Sequence, residues 1–316
     1  MTRKLMAILM ALVLALTSFA ALAEGTAATE ETVEPGWVNI LLLGGDSRSL
    51  TNYGRTDSMI IVSVNREESL VKMTSIMRDT WVAIPGKGTH KINAANVFGG
   101  PELAVRTVSE AFDVEIDDYV LINMVNMANI IDLVGGVEVE ITAGEAKRIN
   151  EHAAGFVSEM NMEGYDQEIS VEGEGLQLLN GVEAITYSRN RSDSDYYRVM
   201  RQQKVLLALA ERVQNMEIDA LMEIMDEVLN NMSTSLTEEE LKDFAMAGMV
   251  MEVADVQHFR LPANGTFEDG TFDGVWCIKP DFEKNAKMLN NFIYNGVDYK
   301  VPEEPVKEVA EEEAAE

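Results

Sequence analysis

Residues 187–203 read YSRNRSDSDYYRVMRQQ. This stretch gathers four arginines of an otherwise acidic chain: Arg189, Arg191, Arg198 and Arg201. Arg189 and Arg191 are two residues apart, so an extended segment would place both side chains on one face, at the end of a strand. The apolar residues that follow have helical spacing, which predicts a helix capped by Ser194 or Asp195. On that helix Arg198, Arg201 and Gln202 fall at i, i+3 and i+4, along one exposed edge.

Four guanidinium groups that lie close together repel one another unless an anion sits between them. Phosphate suits them because its oxygens accept the paired hydrogen bonds that a planar guanidinium offers. The stretch therefore predicts a phosphate-binding site formed by a strand end and the next helix. The alternative is a surface helix whose arginines are solvated and paired with Asp193 and Asp195.

Composition limits the classes of function. The chain has 316 residues, of which 47% are hydrophobic, so it can bury a sizeable core. A formal net charge of −29 argues against nucleic acid as a partner, because phosphate backbones are bound by basic surfaces. The single cysteine, Cys277, excludes an intrachain disulfide and a cysteine-based metal cluster, and the three histidines show no metal-ligand spacing.

The two ends of the chain differ from its middle. Arg3 and Lys4 precede an apolar run over residues 5–23, which predicts a cleaved signal peptide or a single membrane anchor in residues 1–23. Either one places the rest of the protein outside the cytoplasmic membrane, at its outer face or in the cell wall. Residues 24–36 are predicted to be a linker, and residues 301–316 a disordered acidic tail.

The segment between these ends, residues 37–300, has an α/β pattern and is predicted to be one domain. The predicted strands are Val38–Leu43, Met59–Val64, Leu70–Ile76, Tyr119–Asn123, Val137–Ile141, Val256–Leu261 and Val275–Ile278. The predicted helices run from Pro101 to Phe112, from Met127 to Val134, and from a cap at Asp281 to Ile293. Residues 264–274 read as a hairpin loop, and the pattern assigns no regular element to residues 143–175.

Acidic and basic residues follow several of these strands. Asp46 comes directly after Gly44-Gly45, and Asp57 lies shortly beyond it, so the two carboxylates are candidate ligands of one Mg²⁺ ion. Alternatively, each aspartate pairs with a neighbouring arginine, Arg48 or Arg55. The third strand ends in Arg78-Asp79. A lysine, Lys91, follows a glycine-containing loop, where a lone lysine is usually solvated, and Gly99-Gly100-Pro101 could form an anion-binding helix start.

Taken together, these segments resemble the LytR-CpsA-Psr family of cell-envelope proteins. The matching pieces occur in the family's order over residues 37–215: NILLLGGDSR, RTDSM, MRDT, HKINAA, GGP, DLVGGVEV, LLNGVEAITYSRNR and DSDYYRVMRQQ. The resemblance implies a single three-layer α-β-α domain with a central mixed sheet and a hydrophobic lipid tunnel. It also implies a membrane-associated, magnesium-dependent phosphotransferase. Such an enzyme moves a glycopolymer from a polyprenyl-diphosphate carrier to a peptidoglycan sugar hydroxyl.

The resemblance assigns roles to individual residues. It implies that Asp46 and Asp57 bind magnesium. It implies that the diphosphate is held by Arg55, Arg78, Lys91, Arg189, Arg191, Arg198 and Gln202, and we add Arg48 and Arg201 as further candidates. The predicted catalytic residues are Asp46, Asp57, Arg78, Asp79, Arg189 and Arg191, with the general base left open among the three aspartates. By analogy, residues 119–125 and 127–134 form the tunnel walls.

The chain departs from the family pattern in three places. Met77 stands where members usually carry proline before the Arg-Asp pair. The segment 143–175 is long for the family, and the N-terminal region has a plausible cleavage site. Two other functions stay open. A polyprenyl-diphosphate pyrophosphatase would use water in place of the sugar hydroxyl, and a non-catalytic lipid-diphosphate binding protein would need no metal.

Overall fold

The structure is a computed structural model of the chain. It describes residues 36–47, 53–65, 68, 70–162, 165, 168–190, 195–217, 220, 223–224, 227–228, 230–237, 240, 256–272 and 274–299. The predicted signal peptide or anchor, nearly all of the predicted linker, and the acidic tail lie outside these residues. Within the described residues, no helix is long and apolar enough to cross a membrane.

A six-stranded mixed sheet forms the centre of the fold. Its strands, in spatial order, are β10 (Gln257–Leu261), β3 (Leu70–Ile76), β2 (Thr56–Asn65), β1 (Trp37–Gly45), β6 (Asp118–Asn123) and β9 (Ser233–Thr234). Strand β1 pairs antiparallel with β2 and parallel with β6, and β10 pairs parallel with β3. The predicted central mixed sheet is therefore confirmed.

Helices cover both faces of this sheet. One face carries α2 (Met124–Leu133), α3 (Ala143–Glu159), α4 (Gly181–Ser188) and α5 (Asp195–Gln214), and the other carries α1 (Ala95–Phe112) and α6 (Phe282–Tyr294). Neighbouring residues of one strand point to opposite faces, so Ile40 joins one core and Leu41 the other. Burial on both faces explains why β1 and β2 read as continuous apolar runs.

Three small two-stranded antiparallel sheets complete the described strands. They are β4 (Trp81–Ile84) with β5 (Gly88–Lys91), β7 (Val137–Ile141) with β8 (Gly175–Leu179), and β11 (Phe267–Phe272) with β12 (Val275–Pro280). The hairpin loop predicted over residues 264–274 is therefore wrong in part. Residues 267–272 form a strand that shows no alternation of apolar and polar residues. All six residues stay at least partly exposed, and the strand is held by backbone pairing with β12.

Two helices were missed or misassigned by the sequence pattern. Residues 143–159 form α3, which begins with a capping box between Thr142 and Glu145. Residues 181–188 form α4, which begins with a second capping box between Asn180 and Glu183, so Arg189 ends a helix and not a strand. In both cases the N-terminal signature was present in the sequence.

Helix α1 also differs from its prediction. It begins at Ala95, after a 3₁₀ turn over Ile92–Ala94, and kinks at Gly99-Gly100, immediately before Pro101. Gly100 has φ 76°, a left-handed conformation that glycine adopts without steric cost. The predicted strands are confirmed to within a few residues and correspond to β1, β2, β3, β6, β7, β10 and β12. The predicted final helix is confirmed as α6.

Met77, where the resemblance leads us to expect proline, takes part in the backbone hydrogen bonding of the sheet. Its amide donates to the carbonyl of Leu261 at 2.8 Å, which continues the pairing of β3 with β10 by one residue. Proline has no N–H and could not make this bond. The turn that follows is closed by the amide of Thr80, which donates to the Met77 carbonyl at 3.0 Å.

A buried lysine joins the sheet to the last helix. Lys72 is 3% exposed, and its Nζ donates to the carbonyls of Phe292 at 2.6 Å and Ile293 at 2.9 Å. These carbonyls belong to the last turn of α6, where the helix dipole favours a cation. The ammonium also lies 5.0 Å from the centre of the Trp37 ring. Burial lowers the pKa of Lys72.

Close packing fixes the position of α4. A Cβ atom on Gly181 would lie 1.9 Å from the carbonyl oxygen of Ala128 in α2, so no larger residue fits without moving a helix. The amide of Gly181 also donates to Oδ1 of Asp132 at 2.7 Å. Because α4 is anchored at its first residue, the position of Arg189 directly after its last residue is determined as well.

Candidate functional site at the end of the central sheet

A β-bulge presents Asp57. Gly44 in β1 lies opposite Ser58, and Gly45 lies opposite Thr56, so Asp57 has no partner across the strand pair. An extra residue of this kind bends the strand and redirects its own side chain. Asp57 lines a cavity at this end of the sheet.

The loop before β2 folds closely against Asp46. The Asp46 amide donates to the carbonyl of Arg55 at 2.9 Å, and Asn96 donates from Nδ2 to the carbonyl of Gly54 at 2.8 Å. A Cβ atom on Gly54 would lie 2.1 Å from Oδ1 of Asp46, so glycine is required there. Partial desolvation and the negative charge of Asp57 raise the pKa of Asp46.

A chain of ion pairs links the ends of three strands. Arg78 Nη1 lies 2.5 Å from Oδ1 of Asp57, and Arg78 Nε lies 3.5 Å from Oδ2 of Asp79. Lys91 Nζ lies 2.5 Å from the other oxygen of Asp79. All four side chains are between 14% and 23% exposed, so water screens these pairs only partly. The sequence analysis assigned Arg78 and Asp79 to the end of a strand and Lys91 to a position after a loop, where it was expected to be solvated. The fold instead pairs Lys91 with Asp79.

The cavity beside Asp57 is mainly apolar. It encloses about 1040 Å³, part of it open to solvent, between strands β1, β2 and β6 and helices α2, α4 and α5. Its apolar lining includes Leu42, Ile60, Val120, Ile122, Met124, Met127, Ile185, Val205, Leu206 and Leu209. Its polar lining includes Asp57, Ser58, Asn123, Ser188, Arg189, Arg198 and Gln202. A cavity that has both an apolar lining and a polar lining with two arginines suits a ligand that has an apolar chain and an anionic head.

Arg198 and Arg201 are buried, so the exposed edge predicted for helix α5 is wrong. They are 2% and 5% exposed, because α5 packs its arginine-bearing face against the rest of the domain. Arg198 lines the cavity. Arg201 does not, and it donates instead from Nε to Oε1 of Glu145 at 2.8 Å and from Nη1 to the carbonyl of Asn190 at 3.0 Å. Arg201 therefore joins three segments of the protein.

Glu145 is a residue that the sequence analysis missed. Burial disfavours its ionised form, but hydrogen bonds from Arg201 and Thr142, together with the charge of Arg201, outweigh burial and lower the pKa of Glu145. The spacing Thr142-x-x-Glu145 was a visible helix-start signal. Nothing in the sequence, however, connected Glu145 with an arginine 56 residues further along the chain.

Arg189 lies between the cavity and a second concave surface. Its Nη1 is 3.3 Å from Oε2 of Glu159, and its guanidinium carbon lies 5.1 Å from the centre of the Phe156 ring. Both partners belong to α3. Arg189 lines the apolar cavity on one side and a polar groove along α3 on the other. The alternative interpretation paired the arginines with Asp193 and Asp195, and the side chains of these two aspartates lie outside the described part of the chain.

The other predicted site residues are less closely gathered. Gln202 lines the cavity. Arg55 is exposed, and its Nη1 lies 3.5 Å from Oδ1 of Asn93. Arg48 and Arg191 lie outside the described residues. The described residues contain no group of three or more His, Cys, Asp or Glu side chains that could hold a metal ion. Asp46 and Asp57 are only two carboxylates, so they fall below the three side chains that such a group requires.

Comparison with known proteins identifies relatives of the whole domain. The LytR_cpsA_psr family model matches residues 15–293. The chain is 32% identical over 239 residues to the polyisoprenyl-teichoic acid–peptidoglycan teichoic acid transferase TagU of Enterococcus faecalis, a match that covers 73% of this chain and 72% of that protein.

Solved structures give the same result. The structure of TagT bound to LIIa-WTA has a TM-score of 0.65 at 27% identity and covers 84% of this chain and 94% of that one. The structure of the LytR-CPS2A-psr family protein YwtF (TagT) with bound octaprenyl pyrophosphate lipid has a TM-score of 0.61 at 25% identity, with the same two coverages, 84% and 94%. The similarity therefore extends over the sheet and its helices and not only over the motifs.

The buried pair of Glu145 and Arg201 allows a quantitative prediction. We expect a double-mutant cycle with Glu145→Gln and Arg201→Gln to give a coupling free energy of about 1–3 kcal/mol at neutral pH, because little water screens the pair. Glutamine at position 145 keeps the helix cap, so the cycle isolates the ion pair. Urea unfolding of the four proteins measures this coupling.

An exposed pair on helix α1 provides the matched control. Arg106 Nε lies 2.7 Å from Oε1 of Glu110, a distance similar to that of the buried pair, but the two side chains are 64% and 55% exposed. The same cycle there should give less than about 0.5 kcal/mol. Equal coupling at the two pairs would show that burial does not strengthen the Glu145–Arg201 interaction.

Proposed function

Because this chain belongs to the LytR-CpsA-Psr family, we propose that it is a phosphotransferase that moves a glycopolymer from a polyprenyl-diphosphate carrier to a peptidoglycan sugar hydroxyl. The observation that carries the proposal is the cavity lined by apolar side chains together with Arg189, Arg198 and Gln202. One ligand class matches this combination: a long apolar chain that ends in a phosphorylated group.

The apolar part of the cavity would hold the polyprenyl chain. Transfer of a CH₂ group from water to an apolar environment contributes about 0.8 kcal/mol, so even a few buried isoprene units would bind appreciably. The named relatives support this assignment, since one solved structure contains octaprenyl pyrophosphate lipid and another contains LIIa-WTA. Four residues from the predicted tunnel walls line this cavity: Val120, Ile122, Met124 and Met127.

The diphosphate would lie beside the guanidinium groups. A substituted diphosphate carries about two negative charges, and in the transition state the transferred phosphoryl group spreads charge over its equatorial oxygens. Arg189 and Arg198 are held by the fold before any ligand arrives, so they would stabilise that charge without reorganisation. Gln202 would donate a further hydrogen bond. Arg78 would act through Asp57, to which it is bound at 2.5 Å.

The reaction balances as a substitution at phosphorus. The acceptor hydroxyl oxygen forms a bond to the phosphorus that carries the glycopolymer, and the bond from that phosphorus to the bridging oxygen breaks. Polyprenyl phosphate leaves with the electron pair, and the hydroxyl proton passes to a carboxylate. Of the three candidate bases, Asp57 lines the cavity, whereas Asp79 lies between the cations of Arg78 and Lys91 and does not line the cavity.

Magnesium is compatible with the residues present. Asp46 and Asp57 supply two neighbouring carboxylates, and magnesium typically takes one or two protein carboxylates and completes its shell with water and substrate phosphates. When bound, the ion would neutralise charge on the phosphate oxygens. We expect transfer to stop in EDTA and to return when excess Mg²⁺ is added. Asp46→Asn should need a higher Mg²⁺ concentration, and an undiminished rate in EDTA would remove magnesium from the proposal.

The role of Arg189 can be tested by substitution. Arg189→Ala should lower the transfer rate by about 10²–10³-fold, the usual effect of removing one preorganised donor to a developing negative charge. Transfer is measured with a labelled polyprenyl-diphosphate glycopolymer and peptidoglycan. Arg106→Ala is the control, because Arg106 is 64% exposed on helix α1 and should leave the rate unchanged. A wild-type rate in Arg189→Ala would contradict the proposed site.

The same assay separates the proposed function from its two alternatives. A phosphotransferase releases polyprenyl phosphate at a rate that rises when peptidoglycan is added. A pyrophosphatase would release it at the same rate without peptidoglycan, and a non-catalytic binding protein would release none.

Binding of the lipid chain can be tested separately. Leu206 and Leu207 are both half-buried residues of helix α5, but Leu206 lines the cavity and Leu207 does not. Leu206→Gln should greatly reduce the polyprenyl lipid that co-purifies with the protein, because it places an amide against the apolar chain. Leu207→Gln should not. Mass spectrometry of lipid extracted from each purified protein measures the occupancy, and equal amounts in both variants would exclude this cavity as the lipid site.

A further inference from the structure

A polar groove borders the site on the side of helix α3. It has a volume of about 1140 Å³, is open to solvent, and lies between α3 and the C-terminal end of α4. Arg148, His152 and Glu159 line it from α3, and Arg189 and Asn190 line it from the end of α4. None of its α3 residues belongs to the motifs that identify the family.

We infer that this groove binds the acceptor glycan, a hydroxylated sugar chain that carries carboxylate groups. The inference rests on the proposed function and adds the place where the second substrate binds. It depends on the charge of the groove, on one buried hydroxyl and on the position of Arg189.

The charge of the groove is unusual for this protein. The chain has a formal charge of −29, yet basic residues outnumber acidic ones in the groove. The groove is lined by two arginines, Arg148 and Arg189, one histidine, His152, and a single acidic residue, Glu159. An arginine binds a carboxylate through two parallel hydrogen bonds, and asparagine both donates and accepts hydrogen bonds with hydroxyl groups. This set of groups fits an anionic sugar better than an apolar chain.

A buried hydroxyl also points to a polar ligand. Thr186 lines the groove and is 8% exposed, and its Oγ1 has no hydrogen-bond partner among the described residues. A buried polar atom without a partner destabilises the folded protein. A sugar hydroxyl or an ordered water in the groove would remove this destabilisation.

Arg189 connects the groove to the chemistry. It lines both the apolar cavity and the groove, so a lipid diphosphate in the first and a sugar in the second would reach the same guanidinium. The reacting hydroxyl must come within about 3–3.5 Å of phosphorus. A sugar bound in the groove would have its hydroxyl groups close to that position.

One glycine permits a selective test. Gly155 lies on α3 within the groove, and a Cβ atom there would have no heavy atom within 4 Å. Gly155→Leu would therefore fill the groove without disturbing its neighbours, and leucine favours a helix more than glycine does. Gly144→Leu is a matched control, because Gly144 is on the same helix, is equally unobstructed and does not line the groove.

The experiment measures transfer by the full chain at varied concentrations of each substrate. Gly155→Leu should raise the apparent KM for peptidoglycan fragments by about tenfold or more and leave the KM for the lipid donor unchanged. Gly144→Leu should match the wild type in both. Equal melting temperatures and near-UV spectra would show that both variants fold.

Two results would overturn the inference. An increase in the KM for the lipid donor alone would show that the groove holds the donor's own polymer, and unchanged values for both substrates would show that it holds neither. Direct binding of a soluble peptidoglycan fragment to wild type and Gly155→Leu keeps the two proposals separable. If wild type transfers nothing but binds the fragment, and Gly155→Leu does not bind it, the proposed function fails and the groove assignment stands.

Discussion

Burial of positive charge is the constraint on which the rest of this structure depends. A cation removed from water needs a partner nearby, and the cations of this domain are placed accordingly. Arg201 binds Glu145, Arg78 binds Asp57, Lys91 binds Asp79, and Lys72 binds the carbonyls at the end of helix α6. Arg198 is buried and lines the apolar cavity. The proposed anionic head of a lipid would place a negative charge beside its guanidinium group.

These pairs divide the arginines into two groups that the sequence does not separate. Arg201 joins α3 to the end of α4 and stabilises the scaffold, whereas Arg189 and Arg198 border the cavity. Arg198 and Arg201 are three residues apart on one helix, so they share a general direction but meet different neighbours. The scaffold role of Arg201 explains how a cavity-lining helix can carry so much positive charge without losing stability.

Backbone geometry supplies the acidic half of the site. The bulge between β1 and β2 releases Asp57 from the strand pairing, and the tight approach of Gly54 brings its loop against Asp46. The two carboxylates thus come from positions 11 residues apart in sequence and lie at the same end of the sheet. The strands carry hydrophobic side chains into both cores, and the loops at their ends carry the charged groups. The strands therefore stabilise the fold, and the loops at their ends carry the charged residues of the candidate site.

The sequence by itself determined the α/β class, most strands of the central sheet, the family and the identity of the charged residues. Continuous apolar runs and local motifs depend on neighbouring residues, which a sequence displays directly. Only the tertiary structure decided that Arg201 binds Glu145, that Arg198 is buried, that Arg189 ends a helix, and that a polar groove adjoins the cavity. These features depend on contacts between residues far apart in the chain, and such contacts exist only after the sheet and helices have packed.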